Sequence, residues 1–226
     1  MGQFGMPSVV AVTGFLGDPS DFDGVRGSCL KDWSWRVLTP LDLGGGSIVD
    51  MAAQLKDFSA DLRIGYSMGG RVMLAAQDGT PTIALSAGTG LHEADARDRR
   101  AQIDDERADE LRQDPEAFLQ AWYEQPLFDA LRTSPVWKDV EARRSGVVQH
   151  SEAWATVLAA ASPGRTPVPT LEGPLGFVVG NLDQAYRVPP ESFPHRVIPG
   201  TGHAIHLESP EATALAIHEL FKELQS

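Results

Sequence analysis

Basic residues, cysteines and long apolar runs are all scarce in this chain, and each scarcity closes off a class of protein. Against 19 Lys and Arg stand 31 Asp and Glu, a formal charge of −12. A field of that sign repels polyanions, so nucleic acid and anionic membrane are excluded as partners. A small anionic substrate is not excluded, because a few arginines inside a pocket outweigh distant surface charge. Cys29 is the only cysteine, which rules out an intrachain disulfide and any CxxC or multi-cysteine metal site. No stretch approaches membrane-spanning length, and no basic segment followed by an apolar run opens the chain. A soluble, cytosolic protein without membrane insertion is expected. There is no internal repeat and no low-complexity tract.

What is present is enough for one substantial core. With 226 residues and 42% hydrophobic composition, the chain fits a single domain carrying an insertion better than two full domains. Ser8 to Val12, Trp35 to Leu38, Asp61 to Ile64 and Thr82 to Leu85 are strand candidates. Ile48, Ala52, Leu55 and Phe58 recur at helical spacing. Strands alternating with helices imply a mostly parallel sheet flanked by helices. From Leu91 to about Ser162 the pattern changes to charge and alanine without a strand. Pro115, Pro126 and Pro135 fall where helices would start or stop, and Leu111, Phe118, Ala121 and Trp122 have helical spacing. Thr166 to Pro169 leads back toward the sheet, Leu175 to Val179 and Arg196 to Pro199 are late strands, and Glu211 to Leu224 is a closing helix with Ser209 as N-cap and Pro210 at its first position. The boundaries expected are 1–90 and 163–226 for the two parts of an α/β core, with 91–162 as an inserted helical cap.

Gly65-Tyr66-Ser67-Met68-Gly69 lies between a strand candidate and the helical run Gly70 to Ala76. This is the G-x-S-x-G elbow, in which a sharp strand-to-helix turn lifts a serine hydroxyl above the sheet and leaves no room for flanking side chains. A serine needs a histidine to take its proton, and the histidine needs a carboxylate to fix its tautomer. Asp183 follows the strand Leu175 to Val179, and His203 follows the strand Arg196 to Pro199, both at the carboxyl ends where an open α/β sheet places its sites. His206 is a rival histidine and Glu172 a rival acid. For negative charge developing on a substrate, the N–H of Met68 and that of Phe15, in the Gly14-Phe15-Leu16-Gly17 loop, are the expected oxyanion donors. Phe15 also reads as an apolar lid residue.

Gly14-Phe15-Leu16-Gly17, Gly65 to Arg71, Trp122-Tyr123-Glu124-Gln125-Pro126-Leu127-Phe128 and Gly202-His203 together resemble the 2-succinyl-6-hydroxy-2,4-cyclohexadiene-1-carboxylate synthases of menaquinone biosynthesis. These belong to the α/β-hydrolase superfamily, so the resemblance implies an α/β-hydrolase fold and a lyase that eliminates pyruvate from an enolpyruvyl cyclohexene dicarboxylate with a succinyl arm. It implies Ser67, Asp183 and His203 as a triad with the serine in proton abstraction. It implies Tyr66, Arg71, Arg100 and Trp122 as substrate-binding residues, and no cofactor or metal.

By position, Arg71 lies one helical turn past Ser67, near the expected mouth, and its guanidinium fork suits a carboxylate. Arg100 reads equally as part of a solvated helix face paired with Asp104. Several positions depart from the family pattern. Thr13 stands where a histidine is usual, and Gln184-Ala185-Tyr186 follow the acid. The later cap arginine is either Arg143 or Arg144, and the leading antiparallel strands of larger hydrolases are expected to be missing. A serine hydrolase acting on an ester or vinylogous C–C bond would use the same triad, and a non-catalytic binding protein is a third class. Nothing in the sequence reports the oligomeric state.

Overall fold

A computed structural model describes residues 6–186 and 190–226. In chain order its elements are β1 (Ser8–Val12), α1 (Asp23–Gly27), β2 (Ser34–Leu38), α2 (Ile48–Leu55), β3 (Leu62–Tyr66), α3 (Met68–Ala76), β4 (Thr82–Leu85), α4 (Ala94–Gln113), α5 (Pro115–Glu124), α6 (Asp129–Thr133), α7 (Trp137–Val147), α8 (Ser151–Ala160), β5 (Leu175–Gly180), β6 (His195–Ile198), α9 (Ile205–Glu208) and α10 (Pro210–Leu224). The strands form one sheet in the order β2-β1-β3-β4-β5-β6, and every neighbouring pair is parallel. No antiparallel strand occurs among the described residues.

Alternation along the strands sorts the core into two faces. Val9 and Ala11 of β1, with Leu62 and Ile64 of β3, pack against Ile217, Leu220 and Phe221 of α10. Val10 and Val12 turn the other way, onto Met51 and Leu55 of α2 and Val72 and Met73 of α3. Both faces of β3 and β5 are covered, which is why Leu62–Tyr66 and Leu175–Gly180 are buried along their whole length. The helices α4 to α8 fall between β4 and β5, and α4 lies along α8.

Two local readings are corrected and two are made definite. The α2 helix ends at Leu55, and Phe58 sits in the following turn, its N–H bonded to the Leu55 carbonyl at 3.1 Å. Leu111 belongs to α4 while Phe118, Ala121 and Trp122 belong to α5, because Asp114 caps a new helix with Pro115 at its start. Thr166 to Pro169 is not a strand; the chain rejoins the sheet at Leu175. Ser209 occupies the N-cap position of α10, but its side chain makes no capping hydrogen bond.

Candidate active site

The turn from β3 into α3 holds Ser67 at φ 50° and ψ −109°, a conformation costing about 1–3 kcal/mol for a residue with a side chain. The surroundings over-determine it. The Ser67 N–H donates to the Leu85 carbonyl at 2.9 Å, and the Ser67 carbonyl accepts from the Arg71 N–H at 3.1 Å. A Cβ on Gly65 would lie 2.6 Å from the Gly70 nitrogen, and one on Gly69 would lie 2.5 Å from the Thr13 carbonyl oxygen. The glycines are therefore required by backbone packed on backbone.

His203 Nε2 stands 3.1 Å from Ser67 Oγ, and His203 Nδ1 stands 2.8 Å from Asp183 Oδ2. Both His203 and Asp183 are buried. The other Asp183 oxygen accepts the N–H groups of Ala185 and Tyr186 at 3.0 and 3.1 Å, which fixes the carboxylate plane. The histidine loop has a brace of its own that the sequence did not suggest. Glu208 spans it, with one oxygen accepting the Gly202 N–H at 2.5 Å and the other the Ala204 N–H at 3.0 Å. Burial pushes the Glu208 pKa above the usual carboxylate range, although the two N–H bonds oppose it.

The rivals are placed elsewhere. His206 on α9 is buried between Tyr66, at 4.1 Å between ring centroids, and Phe22, at 5.1 Å. Neither ring nitrogen has a hydrogen-bond partner among the described residues, and burial pushes its pKa down to about 3. It is a neutral core group. Glu172 is exposed, with its N–H bonded to Gln77.

A cavity of about 250 Å³ opens on Ser67 and His203, and Phe15, Met68, Arg71, Arg100 and Trp122 line it as well. Arg71 Nη1 donates to the Ala161 carbonyl at 2.7 Å and to Thr166 Oγ1 at 3.3 Å, and no carboxylate pairs with it among the described residues. Burial, with Arg100 nearby, lowers its pKa to about 10, so it remains a cation at neutral pH. Arg100 makes the expected pair with Asp104, Nε to Oδ2 at 2.8 Å, yet it also borders the cavity, so the paired-face and pocket readings hold together. Asp104 is fully buried and takes the Ser162 hydroxyl as well, at 2.7 Å.

Tyr66 does not border this cavity. It lines a smaller one of about 50 Å³ on the other side of Ser67, shared with Phe15, Trp122, Tyr123 and Arg144. Its ring lies 5.2 Å from that of His203, so it serves as floor under the histidine. Of the two later arginines, Arg144 reaches this smaller cavity, while Arg143 does not border it. The Arg144 Nη2 pairs with Asp21 at 2.5 Å and Nε donates to the Tyr123 hydroxyl at 2.8 Å, leaving Nη1 without a partner among the described residues. Burial works against the cation, but Tyr123 and Asp21 more than offset it and hold the pKa above the usual arginine range.

Phe15 lines both cavities beside Ser67. Its ring packs edge-on to Trp122, Phe118 and Trp154, and its N–H has no hydrogen-bond partner among the described residues. Met68 opens α3, where the first N–H groups of a helix lack internal acceptors. Thr13, at the position where the resemblance expects a histidine, is buried and its hydroxyl donates to the Gly14 carbonyl at 3.4 Å, while the loop itself is closed by the Gly17 N–H on the Gly14 carbonyl at 3.1 Å. Tyr186, after the acid, stacks 5.3 Å from His203 and lines the larger cavity, a role no spacing rule pointed to.

A parallel sheet with a serine on a strained strand-to-helix turn, followed by a buried acid and a histidine on later loops, defines an α/β hydrolase. The model of that family matches residues 9–216, and the chain belongs to the alpha/beta hydrolase family. Its relatives include proteins named 2-succinyl-6-hydroxy-2,4-cyclohexadiene-1-carboxylate synthase. It is 31% identical to the one from Klebsiella pneumoniae (strain 342), covering 97% of this chain and 95% of the relative. It is 28% identical to the one from Enterobacter sp. (strain 638), covering 98% and 94%. Among solved structures, MenH from S. aureus superposes with a TM-score of 0.80 at 23% identity, over 97% of this chain and 94% of that one. An enol-lactonase from Burkholderia xenovorans LB400 superposes at 0.68 and 16% identity, over 96% and 92%. The two structures, at those identities, show the shared fold.

Proposed function

We propose that this protein is a lyase that eliminates pyruvate from a 5-enolpyruvyl-6-hydroxy-2-succinyl-cyclohexene-carboxylate in menaquinone biosynthesis, as the names of its relatives suggest. One observation carries the reading. Arg71, a half-buried cation with no carboxylate partner among the described residues, shares the Ser67–His203 cavity with Arg100. A half-buried guanidinium lining a cavity without a carboxylate partner is suited to meet an anionic group there, and a substrate with several carboxylates supplies that. An ester substrate has no such need.

In this reading His203 takes the Ser67 proton while Asp183 holds the Nδ1 tautomer. The poised Ser67 oxygen removes a ring proton, the electron pair moves through the conjugated system, and the C–O bond to enolpyruvate breaks. The departing enolate takes the proton held by His203 and ketonises to pyruvate, while Ser67 keeps the ring proton as its hydroxyl hydrogen. Negative charge spread over the ring system in the transition state is received by the Phe15 and Met68 N–H groups. Arg71 and Arg100 bind the carboxylates, with Trp122 against the ring, and Tyr66 acts from beneath His203. Arg144 faces the smaller cavity as a further anion contact. No acyl-enzyme and no metal or cofactor enter the scheme, and a cytosolic setting fits it.

The deciding experiment incubates the protein with the 5-enolpyruvyl precursor and, separately, with p-nitrophenyl esters. Pyruvate release with only weak ester turnover is expected. Efficient ester turnover with a burst of nitrophenol, and no pyruvate, would replace the lyase with a serine hydrolase using the same triad.

A further inference from the structure

The larger cavity has a third guanidinium that no motif marks. Arg107 follows Arg100 by two turns of α4 and so lies on the same face of that helix. It lines the cavity alongside Ser67, His203 and Arg71. Its guanidinium carbon sits 5.5 Å from the centroid of the Trp122 ring, and Nη2 donates to Gln125 Oε1 at 3.0 Å. Gln125 is itself tied by its amide to the Trp122 carbonyl at 2.8 Å, so the arginine is seated on a fixed platform.

That seating does not neutralise it. The one nearby carboxylate, Asp104, gives its Oδ2 to Arg100 and Ser162. Its Oδ1 forms a long ion pair with Arg107 Nη1 at 3.8 Å, too far for a hydrogen bond, so that one carboxylate is shared between Arg100 and Arg107. The bond to Gln125 is the only hydrogen bond Arg107 makes among the described residues, and a guanidinium carries five donors. The side chain is 30% exposed, although its neighbour Asp104 is fully buried. Three arginines therefore face one carboxylate around the cavity, in a protein whose overall charge is strongly negative.

We propose that Arg107 is a third carboxylate-binding residue of this cavity, a proposal that rests on the polycarboxylate reading given above. Arg71 rises from the core side of the cavity, while Arg100 and Arg107 come from α4. The substrate class is thus a polycarboxylate whose anionic groups diverge, one toward α3 and at least one toward α4. Arg107 binds through charge and hydrogen bonds and takes no part in moving the proton.

The test compares the full chain with Arg107→Gln and Arg107→Lys. For pyruvate release, Arg107→Gln should raise KM about tenfold, the loss of one charge-assisted hydrogen bond, with kcat falling less than KM rises. Arg107→Lys should recover part of it. A second measurement does not depend on turnover: titration calorimetry with propane-1,2,3-tricarboxylate. Tighter binding to wild type than to Arg107→Gln, at unchanged melting temperature, supports the proposal. Equal affinity in the two proteins, no binding to either, or an unaltered KM in Arg107→Gln overturns it. If the wild type binds tricarboxylate through Arg107 yet releases no pyruvate, the lyase reading fails and the Arg107 site stands.

Discussion

Arg144 on α7 reaches Asp21 in the loop after β1 at 2.5 Å, with both side chains withdrawn from solvent. This pair fastens the helical insertion to the loop that carries Phe15. Removing one member strands the other charge in a buried site. Asp21→Ala should lower stability by about 3 to 5 kcal/mol, the range for breaking a buried ion pair from one side. Urea unfolding monitored by circular dichroism measures it, and an unchanged midpoint would show that solvent reaches Arg144 after all.

The triad makes the second prediction. Ser67→Ala, His203→Ala and Asp183→Asn should each reduce turnover by roughly 10³-fold or more, and double variants should lose little beyond the singles. Melting temperatures should stay near wild type for Ser67→Ala, whose hydroxyl is at the cavity surface. Near wild-type turnover by Ser67→Ala on the precursor would end the assignment of Ser67.

Arg71 offers the third. Arg71→Ala should cost about 2 to 5 kcal/mol of transition-state binding, the range for truncating a buried charge pair. Arg71→Lys should restore only part, since an ammonium cannot reproduce the bidentate fork. The loss appears in KM if the contact is uniform and in kcat if it tightens during elimination. Steady-state kinetics separate the two, and identical constants for wild type and Arg71→Ala would leave Arg71 a purely structural residue.

A pH prediction follows from His206. Its folded pKa is depressed to about 3, against about 6.5 in an unfolded chain. The stability it contributes is therefore present above pH 6.5 and is lost as the pH falls toward 3, because the unfolded state binds the proton first. The size of that loss is on the order of 5 kcal/mol. His206→Phe, which keeps a ring between Tyr66 and Phe22, should flatten this part of the acid-denaturation curve. Parallel curves for the two proteins would place the acid sensitivity in other groups.

The elbow, the acid and the histidine were legible because their chemistry demands an order along the chain and because strands announce themselves as short apolar runs. Arg71 was legible because one helical turn fixes its distance from Ser67. The rest of the cavity was not. Only Asp104, Ala108 and Leu111 are buried on α4, so this helix has no apolar stripe to orient it. Its arginines read as a solvated face until the burial of Asp104 shows which side turns inward. Arg143 and Arg144 are neighbours that both pair with Asp21, and only the burial of Arg144 against Tyr123 tells them apart. Glu208 acts through backbone N–H groups, which carry no residue identity, so no pairwise motif could reveal it.

The loops bearing Asp183 and His203 are tied to each other. Leu182 N–H donates to the Thr201 carbonyl at 2.9 Å, and Gly200 N–H to Asn181 Oδ1 at 2.7 Å. Acid and histidine thus form one preassembled half, braced by Glu208, while Ser67 arrives on β3 from the other side of the helical insertion. The halves meet along the β4–β5 pairing, and the Ser67–His203 contact lies at the carboxyl end of that seam. The fold thus builds its base within one stretch of chain and brings the nucleophile to it through the register of the sheet.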